Sequence, residues 1–385
     1  MVEVADIFRG EAKQYLETRF VTPNQRKAMH DIACCRTVAM GSVPQTCQIC
    51  GVEYRLFCSC RNRSCPSCGG EASQKWLEAR RQEILPVEYL QVVFTPPAEL
   101  KVLACYCPEA FYDAVIRAAG QAIIDVGWSK LHIELGCLGQ LQTWTQILLF
   151  LLHVHCVVPC GGFSEDGSQW VRFGSDDLPV KALRNRFRSL LCKNIRTAAR
   201  QGKLDQLPSK VSIRQLLATA LNRKWRVYAE LPFGGVETLL GYLSRYTHRV
   251  ALTNDRIEAY ENGQVTFRCR NGCDRNEQKL YTLDGQEFVQ RFLTHVPPRG
   301  FVRIRSYGFL GNRNRKKNLE RARQLIGQVP QAEPLRERYQ PLRLCPACYA
   351  GRGNGQRVPH FAPSPELVSQ LPFTLRPPPP QPLAA

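Results

Sequence analysis

Two cysteine knuckles stand close to the N-terminus, Cys47-x-x-Cys50 and Cys65-Pro-x-Cys68, with 14 residues between them. Each knuckle presets two ligands, and together they can place four thiolates tetrahedrally at about 2.3 Å from one zinc. A segment closed by metal needs little apolar core. The span from Cys47 to Cys68 has little apolar periodicity, which predicts a loop-rich, metal-organised module. Cys58 and Cys60 lie inside that loop, and either can replace one of the four as ligand. The loop also carries Arg55, Arg61 and Arg63, charges suited to nucleic acid as well as to a purely structural zinc module.

Eight of the 18 cysteines fall in residues 1–92. The first residues, MVEVADIFRGEAKQ, hold early acids and no apolar signal core, so free thiols and bound metal are expected rather than disulfides. Single cysteines on apolar stretches (Cys105, Cys107, Cys137, Cys192, Cys269) read as small buried side chains. The longest apolar run, Ile147 to Val158, spans 12 residues and is broken by His153 and His155. That is short of the ~20 needed to cross a bilayer, so no membrane partner is expected and the location is read as cytoplasmic.

Three regions are expected: residues 1–92 as a zinc-binding, DNA-binding domain, 93–325 as the main domain, and 326–385 as a tail. The tail carries the lone knuckle Cys345-Pro-x-Cys348 and ends in PPPPQPLAA, which cannot pack a core and reads as disordered. An apolar fraction of 44% excludes a wholly disordered chain. The 52 Lys+Arg against 33 Asp+Glu give a net charge of +19. Such a surplus favours a polyanion partner, nucleic acid first, over a protein that is merely basic.

Helices are predicted over Ile7–Phe20, Ser73–Ile84, Pro108–Ile124, Asp177–Arg200 and Val236–His248. Strands are predicted over Tyr89–Phe94, Leu141–Trp144, Leu148–Val158 and Lys224–Leu231. Ile257–Tyr260 and Val265–Cys269 flank Asn262-Gly263, a hairpin signal. Strands and helices mix without a βαβ rhythm, so the fold class is α+β with a layered sheet.

His153-Val154-His155 ends the apolar run. Residues i and i+2 of a strand share a face, so two imidazoles there can hold one divalent cation and leave positions open to oxygen ligands, although an HxH is also a common pair of ordinary histidines. Tyr242 and Tyr246 lie one helical turn apart. They read either as packing residues or as two nucleophiles able to attack a phosphodiester. Arg245 and Arg249 are placed to meet phosphate. Residues 299–323 carry nine Lys/Arg against Glu320 alone. Phe301, Tyr307 and Phe309 interleave with Arg303, Arg305, Arg313, Arg315, Lys316 and Lys317. Neutralised backbone with stacked aromatics is a common way to hold single-stranded DNA; a solvated charged face is the plainer reading.

The order of these motifs resembles the two-tyrosine HUH transposases of the IS91 type, rolling-circle insertion-sequence enzymes. CRNRSCPSC (60–68), LPVEYLQVVFTPPAEL (85–100), HVHCVVPCGG (153–162), PFGGVETLLGYLSRYTHRVALTNDRI (232–257) and HVPPRGFVRIRSYGFL (295–310) carry the likeness. The resemblance implies an HUH-endonuclease-like antiparallel sheet with helices on one side. It implies that His153 and His155 bind Mg²⁺ or Mn²⁺, that Tyr242 and Tyr246 are the nucleophiles, and that Cys47, Cys50, Cys65 and Cys68 bind a structural zinc. It further implies nicking and rejoining of single DNA strands at element ends through a 5′-phosphotyrosine, in a nucleoid-associated bacterial protein. Three departures stand out. Leu151-Leu152 replace a usual His-Pro, Gln142 stands where a His is usual, and Ser64 and Ser306 stand where His is expected. Gln142 is the candidate third metal ligand, with Gln146 and His248 as others. A non-catalytic zinc-dependent DNA-binding protein, and a replication initiator or relaxase, are the alternatives.

Overall fold

The computed structural model describes residues 2–47, 50–230, 250–270 and 277–327. The expected Val236–His248 helix and the Pro-rich tail lie outside them. The described chain mixes helices with antiparallel sheets, the α+β class expected. It divides into two compact units. One holds residues up to 70 together with 250–296, and the other holds residues from 71 to 230 together with 297–327.

The second unit is built on a five-stranded antiparallel sheet. Its order is Ile304–Gly308, Gly136–Trp144, Phe150–Pro159, Tyr89–Thr95, Arg226–Glu230. The strand with the two histidines is therefore central. Pairing fixes which side chains share a face: Val154 stands opposite Leu141 and Phe94, whereas His155 stands opposite Gln140 and Val93. Leu90, Val92, Phe94, Leu141, Val154, Cys156 and Val158 form one apolar face. The helices Pro108–Val126 and Val180–Arg200 cover that face, with Phe94 and Phe187 ring centroids 5.1 Å apart. Each helix has an apolar stripe and a polar outer side, the pattern that buries one face only.

The edge strand Ile304–Gly308 is held down by the same helix. Tyr307 donates to the Ile116 carbonyl at 3.0 Å, and its ring lies directly against Gly120. Arg305 Nη1 meets Asp113 Oδ1 at 2.6 Å.

The first unit begins with the helices Val4–Thr18 and Pro23–Cys34. Next comes a two-stranded hairpin, Ser42–Thr46 with Glu53–Phe57, where the sequence suggested only loop. A three-stranded meander, Ile257–Glu261, Gln264–Arg270 and Gln278–Asp284, then leads into the helix Gly285–Thr294. The predicted Asn262-Gly263 turn is present, with both residues at positive φ (49° and 72°) as a tight hairpin requires. Phe8 packs edge-on against Phe292 at 5.3 Å, and Tyr260 donates to Glu11 at 2.7 Å.

The close seat of Tyr307 on Gly120 gives a test. A side chain at position 120 would meet the Tyr307 ring inside van der Waals contact. Overpacking of this kind costs about 1–3 kcal/mol. Gly120→Val is expected to lower the thermal unfolding midpoint of the chain, followed by circular dichroism, whereas Gly300→Ala, with open space around it, should lower it less despite its positive φ.

Candidate metal centres

Four sulfurs meet in the first unit: Cys35, Cys60, Cys65 and Cys68 lie within 4.8 Å of one another. Cys35 follows the last turn of the helix Pro23–Cys34, Cys60 follows the hairpin, and Cys65 and Cys68 flank the start of the helix Pro66–Arg81. Cys35 is 3.5 Å and Cys60 is 3.7 Å from Cys68, distances set by sulfur contact. The Cys65 knuckle is shaped by its own backbone, since the Cys68 and Gly69 amides both donate to the Cys65 carbonyl, at 3.2 and 3.1 Å. The Cys60 and Asn62 amides point at sulfur, on Cys35 and Cys60 respectively, both at 3.5 Å. Amide donors of this kind stabilise thiolate charge. Contact with Cys60 draws Cys35 below the usual thiol range and contact with Cys35 draws Cys68 the same way, while contact with Cys35 pushes Cys60 and Cys65 up. Four thiols that compete for protons at this spacing have the donor set of a tetrahedral zinc site.

The structure thus joins the expected Cys65 and Cys68 to Cys35 and Cys60. Cys60 is the substitute ligand that its place inside the loop allows; Cys35 belongs to no CxxC pair and carries no spacing signal. Cys47 and Cys50 stand instead at the tip of the hairpin. Five residues of strand extend about 17 Å, which carries the first knuckle away from the second.

Beside the cluster, Asp31 ties helix to loop by accepting from Asn62 at 2.9 Å and from Lys27 at 2.8 Å. Burial works against its charge, but His30, Asn62 and Lys27 outweigh it and hold the carboxyl below its ordinary range. The Asp31 carboxylate, with Cys34, in turn pushes the His30 pKa up to about 9.

In the second unit the face of the sheet turned away from the two helices changes character along its length. At one end Tyr89, Val157 and Leu138 pack with Trp76 and Ile84. At the other end stand Gln91, Gln140, Gln142 and His155, all buried, with His153 half-buried beside them. His153 lies opposite Gln142 in the register, and its ring centroid is 4.7 Å from that of His155. His153 Nδ1 donates to the Leu151 carbonyl at 2.9 Å, which leaves Nε2 with the lone pair. Burial pushes the His153 pKa down, toward the neutral form a metal ligand needs. His155 Nδ1 sits 3.1 Å from the side-chain amide of Gln91. Gln142 donates through Nε2 to the Trp144 carbonyl at 3.3 Å. Its Oε1 is buried and has no hydrogen-bond partner among the described residues. Gln91 escaped the sequence reading, although one polar residue inside the otherwise apolar YLQVVF is the signal that reveals it.

Tyr242, Tyr246, Arg245 and Arg249 lie outside the described residues. The basic stretch is more mixed than its sequence suggested. Arg313, Lys316 and Lys317 are exposed. Arg303 is half-buried, and its carbonyl accepts from the Leu141 amide at 2.9 Å. Arg305 pairs with Asp113, and Arg315 pairs with Glu83 at 3.2 Å while also donating to Ser306 at 2.8 Å. The three interleaved aromatics turn inward: Phe301 and Phe309 are buried, and Tyr307 is the helix contact described above.

Comparisons with known proteins cover both the thiol cluster and the sheet. The profile of the family described as "Transposase zinc-binding domain" matches residues 7–96, which include the four-thiol cluster. The profile of the family described as "Putative transposase" matches residues 136–318, which hold four of the five strands of the sheet. A relative in Sinorhizobium fredii (strain NBRC 101917 / NGR234), "Putative transposase y4qJ", is 40% identical over 373 residues, or 91% of this chain and 94% of the relative. The chain belongs to the IS91-type transposase family. The "Transposase for insertion sequence element IS801" of Pseudomonas savastanoi pv. phaseolicola is 27% identical to this transposase over 287 residues, 72% of this chain and 68% of that one. No solved structure matches significantly. Among the described residues no helix is long and apolar enough to cross a membrane.

Two outcomes are expected for the first unit. Cys35→Ala and Cys60→Ala should each release zinc from the purified protein and loosen this unit, seen as faster amide exchange in residues 28–70. Binding free energy at such a site is folding free energy, of order 10 kcal/mol for small zinc modules. In zinc-saturated protein, the His30 contribution is fully present below its unfolded value of 6.5 and is lost as pH rises through about 9. The unfolding midpoint should fall across that window, and the fall should shrink in His30→Gln.

Proposed function

We propose that this transposase nicks and rejoins single DNA strands by metal-assisted tyrosine attack. The observation that carries the reading is the polar end of the central sheet, where two imidazoles and an amide oxygen converge on one face of neighbouring strands. The donor set is two nitrogens and one oxygen. His153 Nε2 is left with its lone pair by the Leu151 contact, and Gln142 Oε1 is a buried oxygen awaiting a partner. Imidazole with amide oxygen suits Mg²⁺ or Mn²⁺ with open positions for phosphate oxygens. When bound there, such a cation supplies charge neutralisation at a scissile phosphate.

The chain's own residues do the rest. His153, His155 and Gln142 would hold the cation, with a neutral amide where the family more often has an imidazole. Gln91 is a positioning residue. Its amide nitrogen Nε2 lies 3.1 Å from His155 Nδ1 and fixes the orientation of that ring. Tyr242 or Tyr246 attacks phosphorus in line. The phenol loses its proton, the Oη–P bond forms, the P–O3′ bond breaks, and the 3′-oxygen leaves as a hydroxyl after taking up a proton. The bond energy stays in a 5′-phosphotyrosine, and the second tyrosine permits a second transfer. Phosphate contacts fall to Arg245, Arg249, Arg303, Arg313, Lys316 and Lys317, while Arg305 and Arg315 brace the edge strand and the helix that follows it. The zinc unit adds a DNA grip through the arginines of its loop.

Labelled single-stranded DNA carrying an element end, incubated with protein and Mn²⁺, should give a covalent adduct. The adduct should vanish in Tyr242→Phe/Tyr246→Phe. DNA binding that persists without any adduct from the natural chain would identify a non-catalytic binder instead. Manganese affinity of the protein alone, measured by calorimetry, should be lost in His155→Ala. It should fall about 10–100-fold in Gln91→Leu, and be kept in Gln91→Glu.

A further inference from the structure

The helix Val180–Arg200 carries seven Lys/Arg and no acid. Over residues 180–224 the count is twelve against Asp205 alone, a surplus of 11 in a chain of net charge +19. The reaction proposed above uses none of these charges. The inner side of the helix is taken up by Leu183, Phe187, Leu191 and Ile195, which join the apolar face of the five-stranded sheet. Lys181, Arg184, Arg188, Lys193, Arg196 and Arg200 stand on the other side, all exposed. Arg186 is the seventh cation, and it pairs with Asp125 of the neighbouring helix at 2.5 Å. The other six have no ion-pair partner among the described residues.

Arg184 stands one turn before Arg188, and Arg196 one turn before Arg200. Like charges at that spacing destabilise a helix, and a merely solvated face relieves them with interleaved acids. Other helices of this chain do so. Arg9 pairs with Asp6 at 2.6 Å, Lys27 with Asp31 at 2.8 Å, Arg117 with Asp113 at 2.9 Å and Arg291 with Glu287 at 2.5 Å, each within its own helix. Around Val180–Arg200, Asp176 and Asp177 precede the first turn and Asp205 follows the last, so the face itself has no acid of its own. Repulsion left standing by the local sequence is what an external polyanion relieves.

The side chains between the cations select the polyanion. They are Asn185, Ser189 and Thr197, and the helix's one aromatic ring, Phe187, is buried. Single strands are gripped by stacking bases on exposed aromatics. Helices that lie on membranes insert large apolar side chains. This face offers neither. Cations with small polar side chains suit the phosphates of a duplex, which carry no sequence information. The 21 residues of the helix span about 31 Å, the length of about nine base pairs at about 3.4 Å each. We propose that the outer face of Val180–Arg200 binds the phosphate backbone of double-stranded DNA, whatever its sequence. The helix covers the apolar face of the sheet, whereas His153, His155 and Gln142 belong to the opposite face. This surface is therefore distinct from the proposed nicking site, and its binding does not depend on cleavage.

The test measures binding of the full chain to a duplex of unrelated sequence by fluorescence anisotropy over a salt series, with no magnesium or manganese added. In Arg184→Gln/Arg188→Gln/Lys193→Gln/Arg196→Gln the slope of log K against log salt should fall by about 4, close to one for each cation removed. Raising salt from about 50 to about 200 mM should then weaken the natural chain about 100-fold more than the variant. The charge-keeping set Arg184→Lys/Arg188→Lys/Lys193→Arg/Arg196→Lys should retain both slope and affinity, with circular dichroism showing both variants folded. An unchanged slope in the glutamine variant would overturn the proposal. Equal losses in the two variants would overturn it as well, since the side chains would then be holding the fold and not DNA. A loss seen only with single strands, or only with vesicles of anionic phospholipid, would replace the duplex by that ligand. Should the fourfold variant fail to fold, Arg188→Gln alone should lower the slope by about 1. No adduct in the cleavage assay, with the slope difference kept, would sink the nicking reaction and leave this surface standing.

Discussion

A strand buried on both sides can serve two chemistries only by alternation, and the central strand Phe150–Pro159 is built on that rule. Val154, Cys156 and Val158 go to the apolar layer under two helices, while His153 and His155 go to the other side. The neighbouring strands obey the same parity, which is why Gln140 and Gln142 on one side and Gln91 on the other join the histidines. Shifting the register by one residue would send imidazoles into the hydrocarbon layer and valines into the site. The packing of Phe94 on Phe187 therefore helps to keep the two histidines on the polar face.

The polar end of this face is an arrangement of fixed dipoles. Four buried amide and imidazole side chains stand there, and Glu230 lies opposite Gln91 in the register of the neighbouring strand.

The sequence made much of this legible, and the limits are physical. The HxH at the end of an apolar run disclosed both the central strand and its polar face, because a period of two is unambiguous. Asn262-Gly263 disclosed a hairpin through backbone chirality. Two things were hidden. Cys35 has no spacing signature, since its partners come from 25 to 33 residues away and only the fold unites them. The aromatic residues among the cations at 299–323 suggested a stacking surface, but alternation alone does not say which side is wet. Asp113 and Gly120 on the covering helix settle that Arg305 and Tyr307 face the protein. The helix Pro23–Cys34 also went unread, although Thr22-Pro23-x-Gln25 forms a capping box at its start.

The helix Val4–Thr18 packs on Gly285–Thr294, so it waits for a partner encoded nearly three hundred residues later. The zinc unit is therefore not a bead at the front of the chain. A ribosome has to deliver most of the polypeptide before Phe8 can meet Phe292, and until then the nascent segment has the Arg9 contact to the Ala33 carbonyl and the thiols to hold it. Recombination that exchanged the front ninety residues alone between relatives would separate the two halves of one core. Shuffling of such elements should leave the front and the 250–296 insert travelling together, as an inherited pair.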